Sequence, residues 1–202
     1  MLSFDHIAVS AGSLDEGVAW VEQALGVPMA AGGQHALMAT HNRLLGLGDL
    51  YLEVIAIDPD ATPPARPRWF DLDRFTGPPR LTNWVARTDD MDAELASAPN
   101  GTGLPLSLSR GDYRWKMAVP ADGILPFDGA YPALIQWLTP LHPSQALPDS
   151  GIRLKTLTIA HPQADALRSA QPLHDSRLHF VTGPAKHLSA TFQTPNGERT
   201  LP

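Results

Sequence analysis

The chain contains no cysteine. Disulfides, thiolate nucleophiles and zinc–thiolate sites are therefore excluded. It also lacks a basic cluster: 15 Lys and Arg stand against 21 Asp and Glu, for a formal net charge of -6. Phosphate-backbone binding needs clustered cations, so nucleic acid is not an expected partner. No run approaches the ~18 consecutive apolar residues of a membrane span, and no signal-like apolar segment precedes the first strand. A soluble, cytoplasmic protein with no membrane partner is the expectation. A phosphate-cradling glycine loop, a Ser–His–Asp nucleophile motif and a dinucleotide fingerprint are missing too. Proline and glycine are abundant, 20 and 16 in 202 residues. They suit many short strands joined by turns better than a helical bundle.

The chain is organised around Gly32 to Asp58, two apolar runs separated by the turn-prone Gly46-Leu47-Gly48-Asp49. The second run, Leu50 to Ile57, carries one charge, Glu53. Strand side chains alternate, so Tyr51, Glu53 and Ile55 share one face and Leu52, Val54 and Ala56 the other. A carboxylate in mid-strand is costly to bury without a cation or donors. Glu53 is thus either an exposed residue of an edge strand or a functional carboxylate inside a cavity.

Before this stretch, Leu2 to Ser10 reads as a strand with Phe4, His6 and Ala8 on one face and Asp5, Ile7 and Val9 on the other. Ser13-Leu14-Asp15-Glu16 matches a capping box, and Leu14, Val18, Val21 and Leu25 form a helical apolar stripe ended by Gly26. The order is strand, helix, three strands. A Pro-rich connector spans 59–79, with Trp69, Phe70 and Phe75 tacking it to the body. The same order restarts with a strand at Leu81 to Arg87 and a short helix opened by Asp89-Asp90. Strands follow at Leu106 to Ser109, Trp115 to Val119 and Tyr131 to Leu138. A third start places strands at Ile152 to Ala160, Leu178 to Thr182 and Leu188 to Thr194, with a helix from His161-Pro162 through Ala170. His6, Asn83 and Thr156 head the three units, a spacing that suggests internal repetition. A single domain is expected: module 1 at about 1–58, module 2 at about 80–143, and a degenerate third βαβ-type unit at about 151–202.

Asp5-His6-Ile7, Gly32-Gly33-Gln34-His35, Thr40, Asn42-Arg43-Leu44 and Tyr51-Leu52-Glu53 resemble the vicinal oxygen chelate superfamily, and within it the glyoxalase-like domain family. Trp84 to Asp90, Ser109-Arg110, Pro132 to Trp137 and Thr194 to Gly197 extend the resemblance over nearly the whole chain. It implies an α+β fold of paired βαβββ modules, with curved mixed sheets around a cavity and helices outside. It implies as well a divalent metal (Mn, Fe, Ni or Zn) held by first and last strands of both modules. By position, His6 and Glu53 match the first pair of ligands, and Asn83 (or Thr82) and Gln136 fall where the second would be. Neutral amides bind these metals poorly, which leaves two strong ligands unless His35 or His41 joins.

His6 and Glu53 are the candidate catalytic pair and, with Gln136, the candidate metal ligands. The alternative for His6 is a core histidine bonded to Glu53 without metal. His35, Thr40, Asn42, Arg110 and Gln136 are candidates for holding substrate, with Arg110 and Arg43 suited to an anion. His161, His174, His179 and His187 have no ligand spacing and read as surface residues. Trp84 and Trp137 read as packing beneath the helices. The expected function is binding of a small oxygenated molecule between the sheets, by a lyase, isomerase or dioxygenase-type enzyme or by a non-catalytic sequestering protein. The residues leave both open, and leave open a homodimer.

Overall fold

A computed structural model describes residues 2–202. The first module runs β1 (Ser3–Ser10), α1 (Leu14–Leu25), β2 (Gln34–His35), β3 (Thr40–Gly46) and β4 (Tyr51–Ile57). The second repeats the order with β5 (Arg80–Arg87), α2 (Met91–Ser97), β6 (Leu104–Arg110), β7 (Tyr113–Val119) and β8 (Ala133–Trp137). All eight strands belong to one curled mixed sheet in the order β2-β3-β4-β1-β5-β8-β7-β6. The two expected sheets are thus halves of one, joined where β1 and β5 pair antiparallel. Within each half the first strand lies parallel to the last, β1 with β4 and β5 with β8.

Local chemistry sets the ends of α1. Ser13 caps it by accepting from the Glu16 N–H at 3.3 Å. Gly26 closes it at φ 75, a left-handed turn that disfavours a side chain. In α2, Asp90 caps the start by accepting from the Ala93 N–H.

Two apolar cores result from the alternation of the strands. Phe4, Ile7, Val9, Leu52, Val54, Trp84 and Leu134 face outward and pack beneath α1 and the C-terminal unit. Ala8, Ile55, Val85, Trp115, Met117, Ala133 and Ile135 face the inside of the curl. The connector closes over that inner face. Its 3-10 helix (Trp69–Arg74) buries Trp69, Phe70 and Leu72. Arg66 anchors it by donating to the Pro120 carbonyl at 2.7 Å, and the Asp71 N–H donates to Gly123. Phe70 and Asp71 both take φ 57, a conformation that non-glycine residues adopt at a cost.

After a short α3 (Pro143–Ala146), the chain forms β9 (Arg153–His161), α4 (Ala164–Ala170), β10 (Leu178–Thr182), β11 (His187–Thr194) and β12 (Gly197–Leu201). These strands make a second sheet in the order β10-β9-β11-β12. β9 and β10 are parallel across α4, and past the expected end at Thr194 the chain turns back as β12, which forms a hairpin with β11. Leu154, Leu157, Ile159, Leu188, Ala190, Phe192 and Leu201 join the outer core. Trp84 lies there too, with its ring 6.2 Å from Phe180. His161 corrects the expectation of a surface histidine. It is buried at the end of β9, accepting from the Gln163 N–H at 3.0 Å. Among the described residues no helix is long and apolar enough to cross a membrane.

Candidate functional site

The inner face of the curl holds a small cavity of about 30 Å³ beneath the connector, lined by His6, His35, Asn42, Glu53, Arg110 and an aromatic wall. β1 and β4 are neighbours, and their alternation brings His6 and Glu53 to the same face. The His6 Nε2 and Glu53 Oε2 atoms are 3.6 Å apart, an ion-pair distance too long for a good hydrogen bond. The other Glu53 oxygen accepts from Asn42 Nδ2 at 2.5 Å. Asn42 Oδ1 accepts in turn from the Gly33 N–H at 2.8 Å and from Arg110 at 3.1 Å. Gly32 and Gly33 permit this close approach. A Cβ on Gly32 would sit 2.0 Å from the Asn42 carbonyl oxygen, and one on Gly33 2.5 Å from Arg110 Cδ.

The far side of His6 is held by Asp5. His6 Nδ1 lies 2.6 Å from Asp5 Oδ1. Strict alternation would send Asp5 to the opposite face. It does not, because the pairing of β1 with β5 shifts between Phe4 and His6 and leaves Asp5 without a partner residue. This is a β-bulge, which re-aims one side chain. Asp5 Oδ2 also meets His142 Nε2 at 2.9 Å and accepts from Trp137 Nε1 at 3.0 Å. The fully buried carboxylate is thus satisfied on both oxygens. The His6 ring stacks on Tyr51, with centroids 4.3 Å apart.

These contacts decide the charges. Burial opposes a charged His6, but the two carboxylates outweigh it and raise its pKa to about 9. Burial likewise opposes a charged Glu53, but His6 above all, with His35 and Asn42 adding less, holds it down to about 2. Asp5 stays ionised for the same reason, held well below the usual carboxylate range by His142 and His6. At neutral pH His6 is therefore an imidazolium between two carboxylates. His35 is the opposite case. Burial, with Arg110 and His6 nearby, lowers it to about 4 against the pull of Glu53, so it is neutral. Thr40 lies 3.1 Å from its Nδ1, and Trp69 meets it edge-on.

The remaining sequence candidates divide. Thr40 is buried and supports His35 without lining the cavity. Arg43 points outward and is exposed. His41 shares that outward direction, on the opposite face of β3 from Asn42. Gln136 is a correction: it lies on the outer face of β8 and donates to the Asp89 carbonyl at 2.8 Å. The same alternation turns Ile135 and Trp137 inward, so Trp137 lines the cavity instead of packing beneath a helix. In β5, Asn83 donates to the Gly129 carbonyl and Thr82 bonds to Ser10. Two contributors, Trp115 and His142, carry no site signal in the sequence, and Asp5 and Trp137 carry one for a different place.

The donor set does not fit the divalent metal that the superfamily resemblance implies. His6 and Glu53 are two strong ligands, and the second module contributes apolar Val85, Ile135 and Met117 to the inner face. Among the described residues no group of three or more His, Cys, Asp or Glu is arranged to hold a metal ion.

The sequence profile of the glyoxalase-like domain family matches residues 4–172. No curated protein sequence matches the chain. A hypothetical protein from Staphylococcus aureus has a similar structure, with TM-score 0.60 and 14% identity over 92% of this chain and 88% of that one. The methylmalonyl-CoA epimerase of Streptomyces coelicolor, solved with 2-nitronate-propionyl-CoA, aligns at TM-score 0.45 and 17% identity over 67% of this chain and 97% of its own. The epimerase of Mycobacterium tuberculosis gives 0.43 and 16%, over 66% and 85%. With the family profile spanning most of its length and the paired modules in place, the chain belongs to the glyoxalase-like domain family.

Proposed function

We propose that the protein binds a small oxygenated anion in the inner cavity and moves a proton next to a carbonyl, without a metal. The observation that carries this reading is the buried line Asp5–His6–Glu53, in which His6 faces Glu53 across 3.6 Å. A carbonyl oxygen that accepts from His6 Nε2 takes the partner that holds Glu53 acidic. Glu53 then becomes a stronger base, beside the substrate carbon. The C–H bond breaks, the proton goes to a Glu53 oxygen, and the electron pair moves onto the carbonyl oxygen as an enolate. His6, still an imidazolium, stabilises that charge through its Nε2–H. Return of the proton completes the exchange.

Arg110 supports the anionic character of the ligand. It stands at the cavity wall with Asn42 as its side-chain acceptor and no carboxylate partner among the described residues. A cation left free beside a polar floor suits a carboxylate or similar group. The size of the cavity, about 30 Å³, is room for one or two waters. A space of this size suits a compact ligand, a molecule of a few carbons.

The test is hydrogen exchange in deuterium oxide with a panel of two- to five-carbon oxoacids and hydroxyacids, using chelator-treated protein. Deuterium should enter the carbon next to the carbonyl of at least one member. The rate should fall by at least ~10²-fold in Glu53→Gln, the usual scale for a lost general base. Saturable binding without exchange in any member would replace catalysis by sequestration.

A further inference from the structure

A second cavity, of about 270 Å³, lies where the connector, β5 and β11 meet. Its polar lining holds three cations, Arg74, Arg80 and Lys186, beside Thr82 and His187, against the single carboxylate side chain of Asp71. This excess of positive charge stands out in a chain of net charge -6.

The three cations differ in how they are satisfied. Arg74 is paired with Asp71 at 2.7 Å. Arg80 lies 4.3 Å over the ring of Phe75, and one terminal nitrogen donates to the carbonyls of Thr76 and Pro78. Its remaining donors have no acceptor among the described residues. Lys186 has neither a hydrogen bond nor an ion pair among them. Burial pulls its pKa down to about 8 despite the attraction of Asp71 and Asp128. Half-buried and without a protein partner among the described residues, Lys186 is a cation with which a bound anion would pair. Phe70, Phe75, Leu81 and Leu188 supply apolar walls.

We infer that this cavity is a second binding site, for a small phosphate-type oxyanion: inorganic phosphate or a phosphomonoester. Arg80 and Lys186 hold the oxyanion, and the apolar walls take the remainder of an ester. The site is separate from the inner cavity but shares one residue with it, Phe70, which lines both. An anion seated beside Asp71 and Arg74 thus touches the segment that carries the Trp69–Phe70 wall.

The test is calorimetric titration of the full chain with inorganic phosphate and, separately, glycerol phosphate, at constant ionic strength set with chloride. Saturable binding of about one equivalent is expected. Arg80→Gln and Lys186→Met should each weaken it about tenfold or more, as expected for a lost charge-assisted bond. Arg110→Gln in the inner cavity should leave it unchanged. Arg80 is exposed, so its replacement leaves folding intact even if that of Lys186 does not. Tighter binding of glycerol phosphate assigns the site to esters; equal binding assigns it to the free ion. Absence of saturation, equal affinity in Arg80→Gln, or loss of binding in Arg110→Gln overturns the proposal.

Discussion

Asp5 and His6 are consecutive in the sequence, yet both point into the same side of the sheet, with Oδ1 and Nδ1 2.6 Å apart. The bulge in β1 makes this possible. Asp5 fixes the ring so that Nε2 faces Glu53, and it shares the positive charge on His6.

Asp5 therefore governs both stability and charge. Asp5→Ala leaves His6 with a single carboxylate and strips acceptors from His142 and Trp137. The expected loss is about 3–5 kcal/mol of unfolding free energy, the scale for breaking a buried charged network. Urea unfolding measures it. A loss below ~1 kcal/mol would mean that the network is replaceable by water.

Stability should depend on pH through three buried groups. His6 has its folded pKa raised from 6.5 to about 9. Its contribution is complete below pH about 6.5 and is lost as pH rises towards about 9. Glu53, lowered from 4.5 to about 2, contributes above pH about 4.5 and loses that as pH falls towards 2. His35, lowered from 6.5 to about 4, resists protonation, so its neutral state costs stability as pH falls from about 6.5 to 4. A maximum near pH 6.5 follows. Unfolding midpoints taken from pH 4 to 9.5 test it, and His35→Phe should flatten the acid side between pH 6.5 and 4.

Gly32 controls the position of Asn42. A methyl at Gly32 would overlap the Asn42 carbonyl oxygen at 2.0 Å and its Oδ1 at 2.4 Å. Backbone must move, so Gly32→Ala should cost more than about 2 kcal/mol and release Asn42 from Glu53. Thermal unfolding gives the first effect. The second should appear as a weaker grip on the ligand. An unchanged melting temperature would show that the β2–β3 segment yields easily.

Much of the first module could be read in the sequence because its signals are local. Alternation around Glu53 puts Tyr51 and Ile55 on its side, and the Ser13 cap and Gly26 close α1 where expected. The Gly32-Gly33-x-His pattern led to Asn42 and His35, which the structure brings together beside Glu53. The second module misled for a physical reason. Gln136 looked like the counterpart of Glu53 because each is the polar residue of a final strand. The pairing of β8 puts Ile135 inward instead, and one residue of register exchanges the faces. Alternation places Asp5 on the wrong face because a bulge leaves no mark in the pattern of residues. His142 lies in a loop 137 positions from Asp5, a contact that no local pattern encodes.

A His6 that is the charged partner of Asp5 and Glu53, and not a metal ligand, carries a proton on each ring nitrogen. Nitrogen-detected NMR of the His6 ring in chelator-treated protein tests it directly. Both ring nitrogens should be protonated at pH 7.5, with a titration near pH 9 and spectra unchanged by one equivalent of Zn, Mn or Ni. A ring that is neutral at pH 7.5, or an Nε2 signal that shifts with one equivalent of metal while the melting temperature rises, would contradict it.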